Sequence, residues 1–371
     1  MPRIKTIALV AGARPNYMKV FPLLKELERR ADRWRAVLIH TGQHYDPLMN
    51  DVFFEDFDAR KPDHFLGVGS GPHGAQTARV MIALEELFQQ ERPHALVVVG
   101  DVNSTMAGAL VAAKMGIPVA HLEAGLRSGD RTMPEEINRR VTDAISDLLL
   151  TPSEDADEHL RREGVAPEKI VRVGNIMVDS LVSALDKVRS HPIAQHLGVE
   201  DRVFCLVTLH RPSNVDDPKR LSLMVRQMED LARNMPVVFP VHPRTRKMLE
   251  SMAKNPAEES GGIRFLNPLG YLDFLALESR AAVVITDSGG VQEETSFLGI
   301  PCLTVRPNTE RPITLTLGTN RLVDPERTNL AAEAEAAMAR WKGKPAPRIP
   351  LWDGHTAERV VDALEARMMM Q

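Results

Sequence analysis

Acidic and basic residues gather at a few points of this chain, and their types suit proton transfer beside a departing anion. Asp101 follows the apolar run Ala95–Gly100, Glu123 follows Pro118–Leu122, and Glu135 and Glu136 open a later amphipathic segment. Arg14 and Lys19 come just after the first apolar run, while Arg127 and Arg139 stand near the acids. Carboxylates so placed can take up or return a proton. Each has a plainer reading: Asp101 could cap the next helix, Glu135 or Glu136 could complement a helix dipole, and Arg139 could be an ion-pair residue. Their concentration at strand ends favours chemistry, because such ends share one edge of a parallel sheet.

The second half supplies a different set. His210-Arg211 follows Val203–Leu209, and His242 follows Pro236–Val241. The strongest local signal is Val283–Thr286 running into Asp287-Ser288-Gly289-Gly290, which opens a helix carrying Glu294. Two glycines let a phosphate approach the backbone, first-turn amides and the helix dipole attract its charge, and a glutamate one turn on can accept hydrogen bonds from ribose hydroxyls. A nucleoside diphosphate fits there, although the run also reads as an ordinary strand-to-helix turn capped by Ser288. Donors of this kind would stabilise the charge that grows on a leaving diphosphate.

Short apolar runs alternating with helix-length segments must position these groups. Ile7–Val10, Ala36–His40, Ala95–Gly100, Pro118–Leu122, Asp147–Leu150 and Ile170–Val173 read as strands of one parallel α/β series. Val203–Leu209, Pro236–Val241, Ile263–Leu266, Ala282–Thr286 and Cys302–Val305 restart the pattern. The expectation is two doubly wound domains, residues 1–174 with the acids and 175–355 for the nucleotide. A loop over Lys342–Pro350, with three prolines and a glycine, precedes a final helix over 356–371 that packs back on the first domain.

A length of 371 residues allows two such domains with substantial cores. With 46 Lys plus Arg against 50 Asp plus Glu the formal net charge is −4, and no long run of one sign marks a nucleic-acid surface. Cys205 and Cys302 lie far apart in apolar runs without metal-ligand spacing, which suggests buried thiols in a reducing cytoplasm. No apolar segment approaches the ~20 residues of a membrane span. Arg3 and Lys5 before Ile7–Ala13 mimic a minimal signal peptide, but the apolar part is short and reads better as the first strand.

Two motifs are set aside. Gly69–Gly74 formally matches the dinucleotide fingerprint, yet Pro72 removes an amide and no first-strand unit surrounds it. His121-Leu122-Glu123 looks like part of a zinc deaminase site, but the Pro-Cys-x-x-Cys partner is missing.

At these residues the chain resembles the non-hydrolysing UDP-N-acetylglucosamine 2-epimerase family over almost its whole length. The resemblance is carried by Arg14-Pro15 with Lys19, Gly100-Asp101, His121–Arg127, Pro134–Arg139, His210-Arg211, Thr286–Glu294 and Thr309–Pro312. It implies a GT-B-like α/β fold, two Rossmann-type domains around a deep cleft, and a homodimer that acts on a UDP-sugar with neither a nicotinamide nor an essential metal. It implies Asp101, Glu123 and Glu136 as catalytic carboxylates with Lys19 and His210 beside them. Arg14, Arg127, Arg139, His242, Ser288, Gly289, Gly290, Glu294 and Arg311 are the implied substrate-binding residues, Glu294 at the ribose and Arg311 supporting the nucleotide end.

The chemistry can be argued beside the resemblance. The C2 hydrogen of an N-acetylhexosamine adjoins no carbonyl, so inversion there needs either oxidation of a neighbouring carbon or cleavage of the anomeric bond. With no credible nicotinamide fingerprint, elimination of UDP to 2-acetamidoglucal and its re-addition is the expected route. Some features depart from the better-known enzymes: Asp46 and Pro212 replace a glutamine and an arginine used for activation by a second substrate molecule, and Ile313 replaces a glutamate. Thr41–Asp46 and His242–Arg246 are similar to relatives that epimerise UDP-2,3-diacetamido uronic acids. The rival readings are that enzyme, a hydrolysing epimerase, a GT-B glycosyltransferase and a non-catalytic sugar-nucleotide binding protein.

Overall fold

The computed structural model describes residues 4–43, 57, 59–200, 203–252 and 261–368. They divide into two units, Met1–Ser183 with Pro350–Gln371, and Ala184–Ile349. The first contains β1 (Lys5–Ala11), β2 (Trp34–His40), β3 (His64–Phe65), β4 (Ala95–Val99), β5 (Val119–Leu122), β6 (Leu148–Thr151) and β7 (Ile170–Arg172). These pair in parallel in the order β3-β2-β1-β4-β5-β6-β7. The second contains β8 (Cys205–Thr208), β9 (Val237–Pro240), β10 (Ile263–Leu266), β11 (Val283–Thr286), β12 (Cys302–Val305) and β13 (Asn320–Val323), parallel in the order β10-β9-β8-β11-β12-β13.

Strands covered by helices on both faces stay dry on both, which is why they read as continuous apolar runs rather than alternating ones. In the second unit Val207, Val237 and Ile285 pack under Met224 and Met228 of the helix Pro218–Ala232. The intervening Leu206, Val238 and Val284 point to the other face, beneath Leu277 and Val291. In the first unit Val10 and Val98 meet Leu84 and Phe88 of the helix His73–Glu91 and Val111 of the helix Asn103–Lys114. The strands β3 and β13 were not foreseen. The former has only two residues, and Asn320 and Arg321 give the latter a polar start.

Each sheet reverses its winding once, between β1 and β4 in the first unit and between β8 and β11 in the second. Beyond the carboxyl ends of such a strand pair the connections diverge and leave a crevice. The chain leaves the first unit within the helix Ile176–Arg189, past Gly174-Asn175, because Val178 and Leu181 are buried there and the Ser180 hydroxyl donates to the Met18 carbonyl. It returns at Pro350, and the helix Thr356–Met368 lies against the helix Arg14–Arg29.

Candidate functional site

In the first unit the reversal point is stitched by short polar side chains. Asn16, in the first turn of the helix Arg14–Arg29, accepts from the amides of Gly12 (3.2 Å) and Ala13 (3.0 Å) and donates to the Val99 carbonyl (3.0 Å). It thus joins the end of β1 to the end of β4. One turn further on, Lys19 forms a buried ion pair with Glu123 beyond β5. Gly100 fits against this pair because it has no side chain: a Cβ there would lie 2.9 Å from Lys19 Nζ and 3.2 Å from Glu123 Oε2, and its φ is +67°. Glu123 itself sits at φ +75°, a strained setting for a side chain that large, held by hydrogen bonds that the Glu123 and Ala124 amides donate to the Leu150 carbonyl.

A second group adjoins the first. Glu136, fully buried in the first turn of the helix Pro134–Ile145, accepts at Oε2 from Arg139 (2.7 Å), the Ser128 amide (2.9 Å) and the Ser128 hydroxyl (3.0 Å). Its Oε1 is buried with no hydrogen-bond partner among the described residues. The same Arg139 reaches Asp101 Oδ2 at 2.9 Å, and Asn138 donates to the Asp101 carbonyl at 2.8 Å. Arg139 is therefore an interior bridge between two acids. The Asp101 side chain is 32% exposed, which leaves it open to a small molecule.

Arg127 is spent elsewhere. Burial works against its charge, but Glu163 and Asp143, both at 2.7 Å, raise the guanidinium above its ordinary range. The side chain of Arg14 and all of Asp46 lie outside the described residues.

In the second unit, Asp287 ties the ends of β8 and β11 together. Fully buried, it accepts from the amides of His210 (3.1 Å) and Arg211 (2.9 Å), from Asn214 Nδ2 (3.0 Å), and lies 3.0 Å from His210 Nδ1. Burial opposes the charge, but these donors, His210 first, hold the carboxyl below the usual range. His210 Nδ1 thus carries hydrogen and Nε2 is the nitrogen left for other partners. His242 stands 5.6 Å away, ring to ring, and its Nδ1 accepts from the Arg244 amide at 3.2 Å. Burial, then His210, pushes its pKa down.

Ser288 occupies the N-cap position of the helix Gly289–Leu298, but its hydroxyl makes no capping bond. The open first-turn amides of Gly289 and Gly290 are the groups such a helix start offers an anion. Arg311 crowds this point, since a Cβ on Gly289 would lie 2.8 Å from its Nη1. It is fixed by Glu293 (2.8 Å) and Glu310 (2.6 Å), the latter also paired with Arg306 at 2.7 Å. Although burial opposes it, Arg311 and Arg306 hold the Glu310 carboxyl far below the usual range. Glu294 accepts from the Tyr271 hydroxyl at 3.0 Å, and the buried Glu278 is near enough for the two carboxyls to influence each other. Burial raises both, Glu294 to about 7.

Lys19, Glu123, Asp101, Arg139 and Glu136 are thus brought together in one unit, and His210, His242, Ser288–Gly290 and Arg311 lie at strand ends of the other. Sequence reasoning passed over Asn16, Ser128, Asn138, Asp287 and Glu293, residues that orient rather than present themselves. Asp287 and Glu293 did stand in the motif Thr286–Glu294, where Ser288, the two glycines and Glu294 attracted attention. Among the described residues no cluster of His, Cys, Asp and Glu could hold a metal ion, and no helix is long and apolar enough to cross a membrane.

The family model for UDP-N-acetylglucosamine 2-epimerase matches residues 25–365. The UDP-N-acetylglucosamine 2-epimerase of Methanocaldococcus jannaschii is 40% identical over 370 residues, covering 96% of this chain and 98% of its own. The chain belongs to the UDP-N-acetylglucosamine 2-epimerase family. The crystal structure of the M. jannaschii enzyme in complex with UDP-GlcNAc and UDP superposes with a TM-score of 0.87 at 39% identity, over 97% of this chain and 99% of that one. The two Rossmann-type parallel sheets of this epimerase-family chain are accordingly of the GT-B-like class that the sequence led us to expect. A UDP-2,3-diacetamido-2,3-dideoxy-D-glucuronate 2-epimerase of Pseudomonas aeruginosa is also 40% identical, over 337 residues and 90% of this chain and 92% of its own.

Proposed function

We propose that this protein interconverts UDP-N-acetylglucosamine and UDP-N-acetylmannosamine without hydrolysis, by elimination and re-addition of UDP through 2-acetamidoglucal. The observation that carries this reading is the state of Glu136: one oxygen held by Arg139 and Ser128, the other buried with no hydrogen-bond partner among the described residues, next to a half-buried Asp101 on the same arginine. One carboxylate takes the C2 proton while the C2–H electrons form the C1=C2 bond and the C1–O electrons leave with UDP. In the return step UDP oxygen attacks C1, and C2 receives a proton from an acid on the opposite face. Two faces need two groups, and Glu136 and Asp101 are the pair we assign, with Glu123 and Lys19 beside them. His210, Ser288 and the amides of Gly289 and Gly290 would stabilise the departing diphosphate, with Arg311 supporting that end and Glu294 meeting the ribose.

We also propose a homodimer working in the cytoplasm toward cell-envelope glycans. A second substrate reading, a UDP-2,3-diacetamido uronic acid, is favoured by the P. aeruginosa relative. Incubation with each UDP-sugar in heavy water, followed by NMR, separates the readings. UDP-N-acetylmannosamine carrying deuterium at C2 is expected from UDP-N-acetylglucosamine. Turnover of the uronate alone would move the assignment, and release of free N-acetylmannosamine would replace it with the hydrolysing reaction.

A further inference from the structure

The motif His121-Leu122-Glu123 contributes Glu123 to the site, and its histidine makes buried contacts of its own. His121, at β5, is fully buried. Its Nε2 lies 2.8 Å from the Gly100 carbonyl oxygen and its Nδ1 2.6 Å from Asp143 Oδ1. A carbonyl oxygen can only accept, so Nε2 carries a hydrogen. Asp143 accepts at its other oxygen from the Gly125 amide (3.1 Å) and Arg127 (2.7 Å). That is the bonding of an ionised carboxylate, so Nδ1 must donate as well.

We propose that His121 is a buried imidazolium and a positioning residue that fixes the Gly100-Asp101 turn. The inference rests on the assignment of Asp101 to proton transfer. Charges alternate outward from His121, from the buried Asp143 and Arg127 to the exposed Glu163, which Arg140 also meets at 3.4 Å. The Lys19–Glu123 pair stands close against the Gly100 Cα. The turn is thereby gripped at consecutive carbonyls, that of Gly100 by His121 and that of Asp101 by Asn138. Gly100 has the positive φ and the close neighbours that make its placement exacting, and Asp101 is aimed by whatever holds it. A neutral ring would leave a carbonyl or a carboxylate facing a nitrogen lone pair, so either the clamp on Gly100 or the ring's own anchor on Asp143 would be lost.

Two measurements test this. The first uses the unsubstituted protein with nitrogen-15-labelled histidine, the His121 ring being assigned through its backbone. Both ring nitrogens are expected to carry hydrogen, as the two hydrogen bonds require. A His121 ring with one unprotonated nitrogen near neutral pH would overturn the proposal, whatever the substrate. The second compares His121→Ala, which removes the donor to the Gly100 carbonyl, with His121→Gln, which keeps one. His121→Ala should lower kcat and C2 deuterium uptake on the order of 10²-fold while KM and UDP affinity stay near those of the parent, and His121→Gln should recover part of that loss. Parent-like kcat in a folded H121A protein would refute the positioning role. If the parent turns over no UDP-sugar, the assignment of function fails, and the nitrogen-15 result still decides the imidazolium.

Discussion

At the scale of single residues, the acids differ in what holds them, and that difference is testable. Glu136 has no solvent exposure, and its charge is compensated by Arg139 and two Ser128 donors. Glu136→Gln keeps the shape but cannot take a proton, so kcat and deuterium uptake should fall about 10²–10⁴-fold, with UDP binding by calorimetry unchanged. Asp101→Asn should act in the same direction. Arg139 illustrates the limit of reading types along a chain. Its spacing three residues after Glu136 is that of a surface helix pair, yet it is interior and reaches a second acid distant in sequence. Glu294 adds a pH effect. Its carboxyl is raised by burial to about 7, whereas an unfolded glutamate titrates near ~4.3. Between those values the folded state binds the extra proton, so stability is complete below the lower value and declines as pH rises toward the upper. Denaturant unfolding at a series of pH values should show that decline in the parent and a flatter profile in Glu294→Gln.

At the scale of elements, strand ends and helix starts explain why these side chains meet. Parallel strands put every carboxyl end on one edge, and the reversals between β1 and β4 and between β8 and β11 open a crevice at that edge. Runs such as Ala95–Val99 and Val283–Thr286 are legible as buried strands because both faces are covered. The turn that follows β4 depends on glycine. Gly100→Ala would force a Cβ into positive φ and against Lys19 and Glu123, costing about 1–3 kcal/mol and displacing Asp101. Urea unfolding with turnover assays should register both effects. The start of the helix Gly289–Leu298 has its own steric condition, since Gly289 must admit Arg311.

At the scale of the whole molecule, the chain end matters to the unit that carries the acids. Asp179 accepts from the amides of Thr356 (3.1 Å) and Ala357 (2.7 Å), capping the last helix, which Arg30 and Arg33 hold through Asp362 (2.6 Å) and Glu365 (2.8 Å). Asp179→Ala should cost about 1–2 kcal/mol of stability in urea unfolding, with UDP affinity retained because the cap lies in the other unit. By itself the sequence determined two parallel α/β series, the strand ends at which the acids and the glycine-rich helix start lie, and the family. Those properties are local: apolar periodicity, turn chemistry and contiguous motifs. Only the tertiary structure decided the pairings, Lys19 with Glu123, Arg139 between Glu136 and Asp101, Asp287 beneath His210, and His121 against Gly100 and Asp143. Partners separated by tens of residues in sequence become neighbours through strand order, and strand order is fixed by how the sheets pack rather than by any short stretch of chain.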